Sequence, residues 1–284
     1  MFARKNGVGI MLMLGLVFSA IRTVLLSLNI EVSRVYEDQF YYLPDSFAFK
    51  AFAVATILAV VIALYLAIVG GRKRKIEFDR KNFVVSAASC MLAFVMMGEA
   101  VMFFSSEHSS EYSESVDAVA AKFLTNKLEF LMIMLAVVCG VVFLVNGVRI
   151  NSTCTLSLFT LAPLVFSAVR IIEEFLRAGS SPRASSGSYH ILGLVAVLLY
   201  FLCEGKAFSG IGSAAFYYFY GYCSILLLLI YSVPNIILPC FGPFEFDYHT
   251  FLSVVDLVLA VYIASRMASV KENYSEIEES NISI

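Results

Sequence analysis

The sequence contains no tryptophan and few charged residues. Charged residues make up 15% of its 284 residues and hydrophobic residues 60%, with a mean hydropathy of +0.84. Soluble domains carry about 25% charged residues, so this composition excludes a soluble globular domain. Hydrophobic runs of about 20 residues, long enough to cross a bilayer, recur along the chain. The sequence therefore predicts an all-α fold, a polytopic transmembrane helical bundle whose main partner is the lipid bilayer.

The chain also lacks the common catalytic motifs. It has no HExxH, no GxSxG, no paired intramembrane aspartates of the protease type and no ATP-binding motif. None of its six cysteines forms a CxxC pair, and most lie in or beside apolar runs, which is typical of buried, reduced thiols. We therefore expect no enzyme, no metal, no cofactor and no nucleic-acid partner.

Eight apolar runs are candidate membrane spans. The sixth is the weakest, because its strictly apolar part, from Ile191 to Cys203, is short for a span. The three prolines in 234–248 predict a segment that leaves the seventh span and folds back near the surface. The predicted spans are 8–28, 51–71, 83–104, 129–148, 154–176, 189–204, 212–233 and 249–267.

The distribution of Lys and Arg predicts the orientation. With both termini in the cytoplasm, the inner segments hold twelve of the 20 basic residues and the outer segments six. Arg266, at the inner end of the eighth span, is counted with the inner segments, whereas Arg22 and Arg170 lie deeper within spans. The inner excess, dominated by GGRKRK at 70–75, follows the positive-inside rule. We therefore expect a plasma-membrane protein with an uncleaved first span and an acidic, mobile cytoplasmic tail over 271–284. If the sixth span does not cross, the last two spans invert and the C-terminus lies outside.

Two similar hexapeptides suggest that the chain consists of two halves. VFSAIR (17–22) and VFSAVR (165–170) each lie in the first span of a four-span set. These sets define a first half, 1–148, and a second half, 149–270. Because four is an even number, the two halves would face the same way and form a parallel repeat.

Small residues spaced four apart predict close helix packing. At this spacing they form one ridge on a helix, and in lipid they let two backbones approach closely. Asp256 heads such a ridge in the eighth span, so we expect it to face protein. The ridges comprise Ala51, Ala55, Ala59, Ala63 and Ala67; Ala136 and Gly140; and Ala260, Ala264 and Ala268.

Six ionisable residues fall within the predicted spans at similar depth, roughly 5–11 Å below the outer boundary at about 1.5 Å per residue. Arg170 can pair along its own helix with Glu173 and Glu174. Arg22 has no carboxylate at helical spacing, so we predict that it pairs with Glu99, Asp256 or both. The candidate substrate-binding residues are therefore Arg22, Glu99, Arg170, Glu173, Glu174 and Asp256.

This charged layer has two interpretations. In the structural one, ion pairs only fix how the helices assemble; the chain is then a non-transporting sensor, an immunity or accessory subunit, or a scaffold with a partner membrane subunit. In the functional one, the arginines receive a small polar or anionic ligand in a pocket near the outer leaflet, as in a transporter or permease. A transporter should have a water-accessible cavity that reaches Arg22 and Arg170, whereas a scaffold should have both sealed by packing.

Overall fold

The computed structural model describes residues 2–27, 32–36, 39–42, 47–71, 74–78, 82–106, 116–148, 160–179, 184–241 and 248–274. Eight helices lie in this part of the chain, and seven are long and apolar enough to cross a membrane. The helices are α1 Phe2–Ser27, α2 Phe47–Gly71, α3 Phe83–Ser106, α4 Val116–Val148, α5 Leu161–Gly179, α6 Ala184–Phe208, α7 Ala214–Phe241 and α8 Tyr248–Ser269. The predicted all-α membrane bundle is confirmed.

Contacts between helix ends give the direction of each helix. Gly7, near the start of α1, lies against Tyr222, near the start of α7. Gly221 lies against Met267, near the end of α8. The start of α1, the start of α7 and the end of α8 therefore share one end of the bundle, which we call the terminal end; the opposite one is the far end. The start of α1 and the end of α8 thus lie on the same side of the bundle, while the cytoplasmic location of the two termini stays a prediction.

The exception among the eight helices is α5, which carries four charges in 19 residues. Thr160, directly before α5, lies against Gly205 near the end of α6. Glu174, in the last turns of α5, lies beside His190 near the start of α6. The helix therefore runs from the terminal end to the far end, antiparallel to α6. It is not one of the seven apolar helices because of its four charged residues, although it runs between the same two ends of the bundle as they do.

The core of the bundle forms around α7, which packs against α1, α2, α6 and α8. On the other side, α3 and α4 pack together, α3 against α8 and α4 against α5. The predicted small-residue ridges lie at these contacts: Ala59, Ala63 and Ala67 of α2 are buried, whereas Ala51 is exposed. Asp256 is buried, as the ridge of α8 predicts. The predicted duplication of the two halves stays a prediction.

Two small antiparallel sheets accompany the helices. Strand β1 (Val32–Tyr36) pairs with β2 (Gln39–Tyr42), and β3 (Arg74–Phe78) pairs with β4 (Val270–Tyr274). Since β3 follows α2 and β4 follows α8, the second sheet lies at the terminal end. The prediction of a mobile tail from 271 onward is therefore wrong for 271–274, where backbone pairing with β3 fixes the chain; 275–284 lie outside the described residues.

Several predicted boundaries are corrected. The sixth span is one continuous helix of 25 residues, Ala184–Phe208, rather than a short segment. The seventh continues through Pro234 and Pro239 to Phe241, so the predicted fold-back at 234 is wrong. The fourth begins at Val116, before the predicted 129. Residues 154–159 of the fifth predicted span lie outside the described residues.

Candidate functional site

A buried ion pair joins α5 to α8 at the far end. Arg170 donates from Nη1 to Asp256 Oδ1 at 2.6 Å and from Nη2 to Asp256 Oδ2 at 3.0 Å. Its Nη2 also lies 3.3 Å from the carbonyl oxygen of Leu252, one turn earlier in α8. This bidentate geometry is the strongest form of an Arg–carboxylate pair. The expected pairing of Arg170 along its own helix is thus corrected, because the carboxylate that holds its guanidinium comes from another helix.

His190 of α6 completes a three-helix cluster around this pair. Its Nε2 lies 3.0 Å from Asp256 Oδ2, and its Nδ1 lies 3.5 Å from Glu174 Oε2 of α5. The ring stacks on Tyr231 of α7, with centroids 4.0 Å apart and planes at 4°. The cluster of Arg170, Glu174, His190 and Asp256, which we call the far-end cluster, therefore links α5, α6 and α8 and abuts α7.

Arg22 lies in the protein interior rather than in lipid, with 2% of its surface exposed. Its Nη1 donates to the carbonyl oxygen of Ile230 in α7 at 2.8 Å. Its guanidinium also lies over the ring of Tyr189 in α6, 5.3 Å from the centroid, a cation–π distance. Both contacts come from the second half of the chain. The predicted ion pair with Glu99 or Asp256 stays a prediction.

The remaining candidates are Glu99 and Glu173. Glu99 of α3 is fully buried. Glu173 of α5 is 2% exposed. Together with Glu174, which is 12% exposed, all six residues therefore lie within the protein, and Arg170, Glu174 and Asp256 come into direct contact through the far-end cluster.

A second buried ion pair lies at the terminal end. Arg266 of α8 donates from Nε to Glu204 Oε1 of α6 at 2.8 Å, and its guanidinium lies 5.4 Å from the ring centroid of Phe208. The hydroxyls of Tyr200 and Tyr217 form a buried hydrogen bond of 2.9 Å nearby. Because Asp256 and Arg266 are ten residues apart, the two ion pairs lie about 15 Å apart along α8.

A narrow cleft adjoins the second pair. Its enclosed space is close to that of one water molecule. We call it the terminal cleft, since its walls come from the ends of α4, α6 and α8 and the start of α5. It is lined by Asn146, Thr160, Glu204 and Arg266 and by aromatic rings that include Phe143 and Phe208.

Sequence reasoning did not select Glu204, His190 or Arg266 as site residues. Glu204 was hidden because it follows the strictly apolar part of the sixth span, and Arg266 because it was counted with the inner loop charges. Their positions inside the predicted spans 189–204 and 249–267 are the sequence signal that could have found them. An ionisable residue within a span is a candidate functional residue even near the end of the span.

Comparison of the chain with protein-family models, with curated proteins and with solved structures finds no match.

Proposed function

We propose that this chain is a non-transporting integral membrane protein of the sensor, accessory-subunit or scaffold class, in which the far-end charges fix the arrangement of the helices. One observation carries the proposal: Arg22, Arg170 and Asp256 are 2%, 1% and 0% exposed. A solute pathway past these groups would leave them open to water, whereas packing encloses all three. Enclosure is the property that the structural interpretation of the charged layer requires.

The hydrogen bonds of Arg170 support the same proposal. Both oxygens of Asp256 accept from its guanidinium. An anionic ligand would have to displace this carboxylate and leave a negative charge buried, which is costly in a water-free interior. The pair is therefore better suited to holding α5 against α8 than to receiving a small anion.

Solute flux in proteoliposomes tests the proposal. Wild-type protein should show no more uptake of amino acids, sugars or inorganic anions than empty liposomes. Arg22→Ala and Arg170→Ala are the informative variants, with Lys206→Ala, an exposed residue at the end of α6, as the control. Uptake that is present in wild type and Lys206→Ala but absent from both arginine variants would overturn the proposal.

His190 favours a second candidate, a proton-coupled carrier seen in a closed state. Histidine titrates near neutral pH, and this one lies between two carboxylates on different helices. The groups that face it are Glu174 and Arg170 of α5, Tyr231 of α7 and Asp256 of α8. A proton added to the ring would place a second cation beside Asp256, in addition to Arg170. Asp256 would then be attracted to α6 as well as to α5, and the packing of these helices could change with each protonation.

A pH-sensitive dye inside proteoliposomes separates the two candidates. A carrier should acidify the lumen under an inward proton gradient, and His190→Gln should abolish this while Lys206→Ala retains it. If wild-type and His190→Gln vesicles acidify at the same rate as empty ones, the carrier is excluded and the structural function stands.

A further inference from the structure

Ser232 of α7 has a buried hydroxyl whose hydrogen-bonding capacity the protein does not use. Ser167 and Ser224 are also buried, and each donates to the carbonyl oxygen four residues earlier in its own helix, at 2.7 Å. Ser232 is 0% exposed, and its Oγ has no hydrogen-bond partner among the described residues. A buried hydroxyl without a partner is costly. The Ser232 hydroxyl therefore favours a partner between α7 and a neighbouring helix.

Helix geometry places Ser232 opposite Asp256. Gly221 of α7 lies against Met267 of α8, and the two helices are antiparallel. Ser232 lies eleven residues after Gly221. Asp256 lies eleven residues before Met267. Because eleven residues make about three helical turns, Ser232 and Asp256 lie at one level, on the faces that α7 and α8 turn toward each other. Ser232 is therefore beside the far-end cluster.

Two members of the far-end cluster also have unused hydrogen-bonding atoms. Arg170 is 1% exposed, and its Nε has no hydrogen-bond partner in the described part of the chain. His190 is 2% exposed; its Nε2 lies 3.0 Å from Asp256 Oδ2, but without the alignment of a hydrogen bond. Arg170 Nη2 lies 3.0 Å from the same oxygen. The unused atoms therefore converge on one place, beside Asp256.

Water is the ligand whose chemistry fits these groups. Arg170 Nε can only donate a hydrogen bond, whereas a serine hydroxyl and an imidazole can each donate or accept. A buried water molecule typically makes about three hydrogen bonds to polar groups that the protein leaves unpaired. A bound cation would be repelled by the guanidinium of Arg170, and a bound anion by the carboxylate of Asp256. A neutral molecule of this size avoids both costs.

We infer that the far-end cluster holds an internal water molecule, bound by Ser232 Oγ, Arg170 Nε and the ring of His190. This water joins α7 by hydrogen bonds to a cluster that it otherwise contacts through the stacking of His190 on Tyr231. The inference goes beyond the proposed function and holds for either candidate, because a single enclosed water is part of the packing and is not a path for solutes.

Water-edited solid-state NMR of the protein in proteoliposomes tests the inference. Replacing His108 and His249 by glutamine leaves His190 as the single histidine, so isotope-labelled histidine reports on its ring alone. Magnetisation should pass from water to the ring in this background, and the transfer should be lost in Ser232→Ala. Ser224→Ala is the matched control: it removes a buried hydroxyl of α7 that already has a backbone partner, so the transfer should be retained. Equal transfer in the two serine variants would overturn the inference.

A high-resolution structure of the wild-type protein provides a second measurement, which does not depend on whether Ser232→Ala folds. A map that resolves ordered water should show density within about 3.2 Å of Ser232 Oγ and Arg170 Nε. A map without this density, in which Ser232 Oγ donates to the carbonyl oxygen of Leu228 as Ser224 does to that of Tyr220, would overturn the inference.

Discussion

Arg22 in α1 compensates for Pro234 in α7. Proline has no backbone N–H, so a helix that continues through Pro234 leaves the carbonyl of Ile230, four residues earlier, without its intrahelical donor. Arg22 Nη1 donates to this same carbonyl at 2.8 Å. In a membrane interior an unpaired carbonyl is costly, and such helices persist where a neighbouring helix supplies the bond. This contact gives a structural reason for an arginine within the first span.

A double-mutant cycle tests this relationship. Arg22→Met should lower the free energy of unfolding of the otherwise wild-type protein by about 1–3 kcal/mol, because it leaves the Ile230 carbonyl unpaired. In a Pro234→Ala background, the N–H of the new alanine can bond to that carbonyl. The same Arg22→Met change should therefore cost less there, with a coupling of about 0.5–3 kcal/mol.

Thermal unfolding followed with a thiol-reactive dye provides the measurement. Cys139 and Cys223 are buried, so they should react only on unfolding. The exposed Cys240, the partly exposed Cys90 and Cys203, and also Cys154 are replaced by serine to reduce background. Equal costs of Arg22→Met in the two backgrounds would show that Arg22 does not compensate for the proline.

The ion pair between Arg170 and Asp256 should show the behaviour of a structural pair. Arg170→Met alone leaves a buried carboxylate without its cation and should destabilise the protein by about 3–5 kcal/mol. The double variant Arg170→Met/Asp256→Leu replaces both charges with apolar groups of similar size and should recover most of this loss. The same dye assay compares the three proteins. A double variant as unstable as the single one would contradict a purely structural role.

The sequence predicts the bundle well because hydrophobic length is a local property. Each run of about 20 apolar residues must form a helix in lipid, since its backbone groups have no other partners. The ion-pair partner of each charged residue was harder to predict. Depth in the membrane, counted along each helix, placed Arg170, Glu174 and Asp256 at a similar height. Depth could not show that α5 faces α8, and this packing determines that Arg170 pairs with Asp256 rather than with Glu173.

Other features depend on contacts that no local pattern encodes. Prolines usually end a soluble helix, so the continuation of α7 through Pro234 becomes predictable only once Arg22 is known to lie beside Ile230. The strand pairing of β3 with β4 joins segments almost 200 residues apart, and a charged sequence such as VKENY carries no signal for it. Glu204 and Arg266 were missed for a related reason, because each lies near a helix end whose partner is on another helix.

Two adjacent glycines at the end of α2 provide a matched pair for testing helix packing. Gly71 lies against the backbone of Ala215 in α7, where a Cβ atom would collide with main-chain atoms that cannot rotate away. Gly70 has no heavy atom within 4 Å of the position that a Cβ would occupy. Gly71→Ala should therefore destabilise the protein by about 1–3 kcal/mol, whereas Gly70→Ala should be neutral or slightly stabilising. Similar unfolding temperatures for the two variants would show that α2 does not approach α7 this closely.

The pairing of β3 with β4 can be tested by disulfide formation. Lys75 lies opposite Asn273 in the antiparallel register, and directly opposed residues have Cα atoms about 4.5–5.5 Å apart, within the range that a disulfide spans. In a background without native cysteines, Lys75→Cys/Asn273→Cys should therefore cross-link almost completely under mild oxidation. Lys75→Cys/Lys271→Cys is the control, because its diagonal separation of about 7–8 Å is too long for easy closure. Gel mobility before and after reduction measures both. Since the disulfide can form only if the segments after α2 and α8 emerge on the same side of the membrane, equal and low cross-linking of the two variants would contradict both the register and the shared terminal end.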